Sequence, residues 1–178
     1  MTIEFNPHTI SLIAGLGNPG EEYHDTFHNA GQLIVKEIVG AQSFSSPKHS
    51  FSYTKMGQFI FIVPHTFMNE SGIAIQDALT YFKLQPQSLL IVHDDADLSL
   101  GTTKLHFGRG DAGHNGIKSI VQTLGTEEFW RFRVGIRKEE KIEGKRIKAE
   151  SFVLSRIQEK EKEILKSSTN TLEKFLLL

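Results

Sequence analysis

Apolar runs of strand length alternate with helical periodicities along nearly the whole chain, and this alternation constrains the fold more than any other feature. Strand-like runs span Ser11 to Leu16, Phe51 to Met56, Phe59 to Val63, Leu89 to His93, Thr102 to Phe107 and Arg131 to Ile136. Between them, Ala30, Leu33, Ile34, Ile38 and Ala41 keep one helical face, as do Ala74, Ala78, Leu79 and Phe82, and Ile117, Ile120, Val121 and Leu124. Such interleaving is the pattern of a sheet covered by helices on both faces. Gly57-Gln58 joins two of the runs as a hairpin and makes the sheet mixed. The expectation is an α/β fold: one domain over residues 1–178, three layers α/β/α, around a twisted, mixed but largely parallel sheet. A last helix, with Ile157, Glu161, Ile164, Leu165, Leu172, Phe175 and Leu176 mostly on one stripe, opens on a capping box read at Ser155 and Gln158 and should pack on the body.

The chain has 178 residues, enough to bury a sizeable core without staples. It has no cysteine, which excludes thiol catalysis, disulfides and cysteine-based metal sites. Met1 to His8 lacks a basic stretch followed by an apolar run, and eighteen apolar residues never run together, so a soluble cytoplasmic protein with no membrane contact is expected. The net charge is −1, yet Arg131 to Lys148 holds eight basic residues against three acidic ones. Basic charge is therefore local, and the stretch from Arg137 to Glu150 reads as a mobile loop.

Gly15, Gly17 and Gly20 spell G-x-G-x-x-G directly after an apolar run. In a dinucleotide site, however, the helix starts within the glycines and an acidic residue follows the next strand. Here Pro19 removes an N–H from the loop, Glu21, Glu22 and Asp25 bring negative charge, and Val35 stands where the acid belongs. The glycines read instead as a tight turn that presents Asn18, Tyr23, His28 and Asn29 at the C-terminal edge of the sheet. His93, Asp94, Asp95 and Asp97 follow another apolar run and should reach the same edge. With Asn69, His114 and Asn115, these supply imidazole, carboxylate and amides but no G-x-S-x-G nucleophile. The chemistry that remains is a histidine activating water, oriented by an aspartate, with amide N–H groups for the oxyanion. Each residue also has a plain structural use, Asn69 and Asn115 as helix caps and Asp94 as a turn cap. His24 and His28, four apart, with the aspartates form a conceivable metal set, but Glu21 to His28 has no apolar helical face to aim both rings at one ion.

Six blocks together resemble the bacterial-type peptidyl-tRNA hydrolase family: GLGNPGEEY with HNAG, PHTFMNESG at 64–72, IVHDDADLSLG at 91–101, GHNGIKSI at 113–120, FRVGI at 132–136 and FVLS at 152–155. The resemblance implies hydrolysis of the ester joining a peptide to the 3′ ribose of tRNA, without cofactor or metal, by a monomer. It makes His28 the general base and Asp94 the carboxylate holding its ring. Asn69 and Asn115 would position the carbonyl and ribose end, and Asn18 would arrange His28 and the substrate. Tyr23, Met68, Asn29 and His114 would bind substrate; Lys104, Lys118 and Arg133, with Lys141 or Lys145 as further candidates, would meet tRNA. The chain departs from the family at Phe27 (usually Arg), His65 (usually Gln), His106 (often basic) and Arg137-Lys138-Glu139 (usually a Gly-His-Pro turn). A non-catalytic RNA-binding relative of the same fold is the alternative.

Overall fold

The computed structural model describes residues 4–48, 50–108, 110–138 and 152–178. One seven-stranded sheet contains β1 (Leu12–Gly15), β2 (Ser45–Lys48), β3 (Phe51–Met56), β4 (Phe59–Pro64), β5 (Leu89–Ser99), β6 (Thr103–Phe107) and β7 (Trp130–Arg137) in the order β2-β3-β4-β1-β5-β7-β6. The four central strands are mutually parallel, while β2-β3, β3-β4 and β6-β7 pair antiparallel at the two margins. Among the described residues, four α-helices cover the sheet: α1 (Ala30–Val39), α2 (Ser71–Phe82), α3 (Asn115–Leu124) and α4 (Glu159–Leu176).

The unbroken apolar runs follow from burial on both faces. Along β5, Leu89 and Ile91 enter one core while Leu90 and Val92 enter the other, and β1 divides Leu12 and Ala14 from Ile13 in the same way. The first core is shared with Ala74, Ile75, Ala78 and Leu79 of α2 and Ile117 and Ile120 of α3. The second takes Ala30, Ile34 and Val35 of α1 and Leu165, Leu172 and Leu176 of α4. Hence α2 and α3 lie on one side of the sheet, α1 and α4 on the other.

Three expectations change. β5 runs to Ser99 instead of ending at His93, because Asp94 and Asp95 still pair with Val134 and Gly135 of β7. β2, a short edge strand, is additional. The capping box of α4 sits one turn later, between Gln158 and Glu161, whose carboxylate accepts from Gln158 N at 2.7 Å. Ser155 cannot open the helix: the chain there is still tied sideways, with Ile157 N bonded to Asp25 O at 2.7 Å and Thr26 bridged to Arg156. Most of the charged stretch from 137 to 150, with Lys141 and Lys145, lies outside the described residues.

Candidate active site

The chain leaves β1 and α1 returns over it so closely that a methyl group on Gly15 would strike the Gly31 carbonyl, and one on Gly31 would strike Val92 O. That approach, and not a phosphate, is what these glycines serve. α1 begins only at Ala30, past the glycine loop, and Gln32 N is already bonded to Leu16 O at 3.0 Å. The loop is held by a reciprocal amide clamp: Asn18 N donates to Asn29 Oδ1 at 2.8 Å and Asn29 Nδ2 donates to Asn18 O at 3.0 Å. Asn18 Oδ1 in turn accepts from Met68 N at 2.8 Å, fixing the turn Met68–Glu70 that carries Asn69.

A single helical turn, Phe27–Asn29, lifts His28 over the end of β5. Its backbone is gripped from the far end of the chain, His28 N to Val153 O at 2.8 Å and Phe27 N to Ser155 O at 3.3 Å. Phe27 is fully buried, and Lys138, ion-paired with Glu161 at 2.6 Å, lays its ammonium over the ring at 5.1 Å. The position that lost the family's arginine thus has a cation beside it, supplied from the end of β7.

His28 Nδ1 lies 3.0 Å from both carboxylate oxygens of Asp94, and His114 Nε2 lies 2.9 Å from Oδ1. The His114 Nδ1 accepts from Gly116 N at 3.1 Å and Ile117 N at 3.3 Å, capping α3. These partners assign the tautomers. His28 carries its proton on Nδ1, which leaves Nε2 as a base; His114 carries its proton on Nε2. Burial pulls the His28 pKa down, but the charge and hydrogen bond of Asp94 more than reverse this, so it is raised. The Asp94 carboxyl is 2% exposed; burial pushes its pKa up, yet His114 and His28 hold it far below the usual carboxylate range.

His28, Asp94, His114 and Asn115 line one cavity of about 130 Å³ together with Asp95, Arg131, Arg133 and the Gly110–Gly113 loop. Asn115 is exposed at the first turn of α3. Asn69 is exposed beside buried Met68, and Tyr23 stands edge-on to Phe67 at 6.3 Å. Asn18 is buried and lines a second hollow, of about 390 Å³. Lys104 on β6 and Lys118 on α3 are exposed.

Several assignments are corrected. Asn29 is 2% exposed and both ends of its amide bond to the Asn18 backbone, so it shapes the loop. Both nitrogens of His114 are likewise engaged. Arg133 is not a free cation, since its Nε meets Asp95 Oδ2 at 2.5 Å. Neither Asn69 nor Asn115 is a side-chain cap; the cap of α3 is His114.

Two residues take roles at the site that the sequence reading did not give them. Arg131 is buried and its guanidinium donates to Gly108 O and, at 3.0 Å, to Gly110 O, holding the loop before α3. His93 is buried with Nδ1 2.7 Å from Asp94 O, and burial above all, with the Arg131 charge acting in the same direction, pushes its pKa well down.

The metal set also changes. His24 is exposed and sits by Asp25, while His28, Asp94 and His114 are the three groups that cluster. They do not fit an ion. A metal needs lone pairs from both imidazoles, and the lone pair of His114 is committed to the α3 N–H groups.

A histidine held by a buried carboxylate at the C-terminal edge of a parallel sheet, with the Asn115 amide lining the same cavity, is an arrangement suited to a water-activating hydrolase. The chain belongs to the peptidyl-tRNA hydrolase family: the family model described as Peptidyl-tRNA hydrolase matches residues 12–178. The peptidyl-tRNA hydrolase of Corynebacterium efficiens is 44% identical over 128 residues, 70% of this chain and 72% of its own length. That of Mycoplasma capricolum is 35% identical over 173 residues, 94% and 91% of the two chains. The crystal structure of peptidyl-tRNA hydrolase from Acinetobacter baumannii matches with a TM-score of 0.81 at 31% identity, covering 96% of this chain and 88% of that one.

Proposed function

We propose that this chain hydrolyses the ester between the peptide and the 3′ ribose of peptidyl-tRNA, acting as one domain and as a monomer in the cytoplasm. The observation that carries the reading is the His28–Asp94 pair, with Nε2 of His28 bonded to no partner among the described residues. His28 Nε2 takes a proton from water as the water oxygen attacks the ester carbonyl. Asp94 stabilises the imidazolium that forms. Amides of Asn69 and Asn115 orient the carbonyl and the ribose end and stabilise the oxyanion, a contribution of about 10²- to 10³-fold per well-placed donor, while Asn18 arranges His28 and the substrate through the loop it holds. The carbonyl–oxygen bond to the ribose then breaks, and the 3′ oxygen leaves with the proton from His28. Tyr23 and Met68 line the path of the substrate. Lys104 and Lys118, exposed and without an ion-pair partner among the described residues, offer their charge to tRNA phosphates, whereas Arg133 contributes less because Asp95 offsets it.

The test is incubation with N-acyl-aminoacyl-tRNA followed by separation of acyl-amino acid from tRNA. Wild type should release product and His28→Ala should lose at least 10²-fold, the low end for a general base. Equal release by His28→Ala refutes the mechanism, and no release by wild type leaves the RNA-binding reading.

A further inference from the structure

Asp94 has two imidazole partners, and the hydrolytic mechanism uses only one. We infer that His114 is a positioning residue that tunes His28 through Asp94, in a neutral form enforced by the N-terminus of α3; this rests on the hydrolase reading. The contacts of both His114 nitrogens support it. Nδ1 of His114 faces two N–H donors, Gly116 N and Ile117 N, so it must present a lone pair. A proton there would abolish the cap and set a cation at the positive end of a helix dipole. His114 therefore donates from Nε2 to Asp94 Oδ1 as a neutral group.

That neutrality divides the labour at the carboxylate. Asp94 carries one negative charge, and a second cation beside it would compete with the imidazolium that His28 becomes. A neutral donor withdraws density from Oδ1 and holds the carboxylate plane with both oxygens 3.0 Å from His28 Nδ1. No other titratable or charged residue around Asp94 is replaced in the variants below. His93 donates to Asp94 O and packs edge-on to His114 at 4.7 Å. Asp95 is paired with Arg133, Arg131 is bonded to the Gly108 and Gly110 carbonyls, and His106 and Asp111 line the same cavity.

The two nitrogens can be separated by side-chain length. In His114→Asn the amide oxygen takes the place of Nδ1 and keeps the cap, but the side chain is too short for Asp94. In His114→Gln the amide nitrogen takes the place of Nε2 and reaches Asp94, but Gly116 and Ile117 lose their acceptor. His114→Asn should keep its Tm, lose about tenfold in kcat, and move the acidic limb of kcat/KM upward by about half a pH unit, because a carboxylate relieved of a donor is a stronger partner for imidazolium. His114→Gln should keep the wild-type midpoint and lose about 2–4 °C in Tm, as expected for a lost cap in a chain of this size.

The titration of the His28 ring, followed by NMR on substrate-free protein, reads the same coupling without the reaction, so it holds or fails independently of the hydrolase assignment. An unmoved His28 midpoint in His114→Asn overturns the inference. A rise in KM alone would also overturn it, by assigning His114 to substrate. Equal shifts in both variants would do so too, since the Gln variant retains the carboxylate contact.

Discussion

Replacing Asp94 with Asn tests the central pair more severely than removing His28, because it changes a charge and a tautomer while keeping the shape. In the folded protein two N–H groups converge on this carboxylate, from His28 Nδ1 and His114 Nε2. An amide offers one oxygen and one NH₂. The tautomer of His114 is fixed by its cap, so the amide oxygen goes to His114 and the NH₂ turns toward His28. His28 must then accept at Nδ1 and carry its proton on Nε2, where it can no longer take one from water. The charge also disappears: at about 4 Å between centres and an effective dielectric of about 20, the imidazolium loses about 4 kcal/mol of attraction. At about 1.4 kcal/mol per decade this is about 10³-fold in rate. Single-turnover hydrolysis of N-acyl-aminoacyl-tRNA across pH 5 to 9 measures it. The expected result is a loss of at least 10³-fold at every pH, with the profile flattened. A loss under tenfold, or a full-height profile merely displaced, would refute both the tautomer argument and the role of Asp94. Stability gives a second reading. Because the Asp94 pKa is depressed on folding, its contribution is present above the unfolded carboxylate value near 4 and is lost as pH falls through the folded value. The Asn variant should therefore be less stable at pH 7 and lose that acid-side slope.

His93, whose pKa is pushed down, contributes in a different window: its stabilisation is complete above the unfolded imidazole value near 6.5 and declines as pH falls below it, by up to about 1.4 kcal/mol per pH unit. Urea unfolding from pH 7 to 5 should show this slope in wild type and lose it in His93→Asn, which keeps a donor for Asp94 O; an equal slope in both excludes His93 as the source. His28 acts in the opposite sense, since its raised pKa gives stability that is lost as pH rises through the folded value. Lys104→Ala should weaken tRNA binding and reduce the log-log salt slope by about 0.9 if it meets one duplex phosphate, with no loss on a minimal ester lacking the tRNA body; equal losses on both substrates would remove Lys104 from the tRNA face. Glu161→Ala should cost about 1 kcal/mol in chemical denaturation and Ser155→Ala much less, because α4 is capped by the bond from Gln158 N to the Glu161 carboxylate; the reverse order would restore the earlier capping box.

The parts of this molecule that could be read from residue order are those decided by burial on a sheet. Central strands announce themselves because both of their faces are covered, as in Leu89 to Val92, and the hairpin at Gly57 has a turn conformation that its glycine permits, with φ of +59°. β2 did not, because Ser-Ser-Pro-Lys is an edge strand with little to bury and a proline that an edge tolerates. His28 and Asp94, 66 positions apart, were legible as neighbours because His28 follows β1 and Asp94 follows the apolar run of β5, on either side of the point where the strand order reverses. What residue letters withheld was where each side chain spends its second polar atom. Asn29 looked like Asn18, yet it clamps the loop with both ends of its amide. Arg131 and Arg133, two apart on β7, share one face of the sheet and line the same cavity, yet the first carries a loop and the second pairs with Asp95. The two histidines on Asp94 differ for the same reason. One faces the helix N–H groups with its remaining nitrogen and is held neutral, while the other leaves its remaining nitrogen to the cavity and can act as a base. At a carboxylate with several imidazole partners, the role of each ring is thus decided by the partner of its other nitrogen, which depends on folded geometry even where the sequence places all of them correctly.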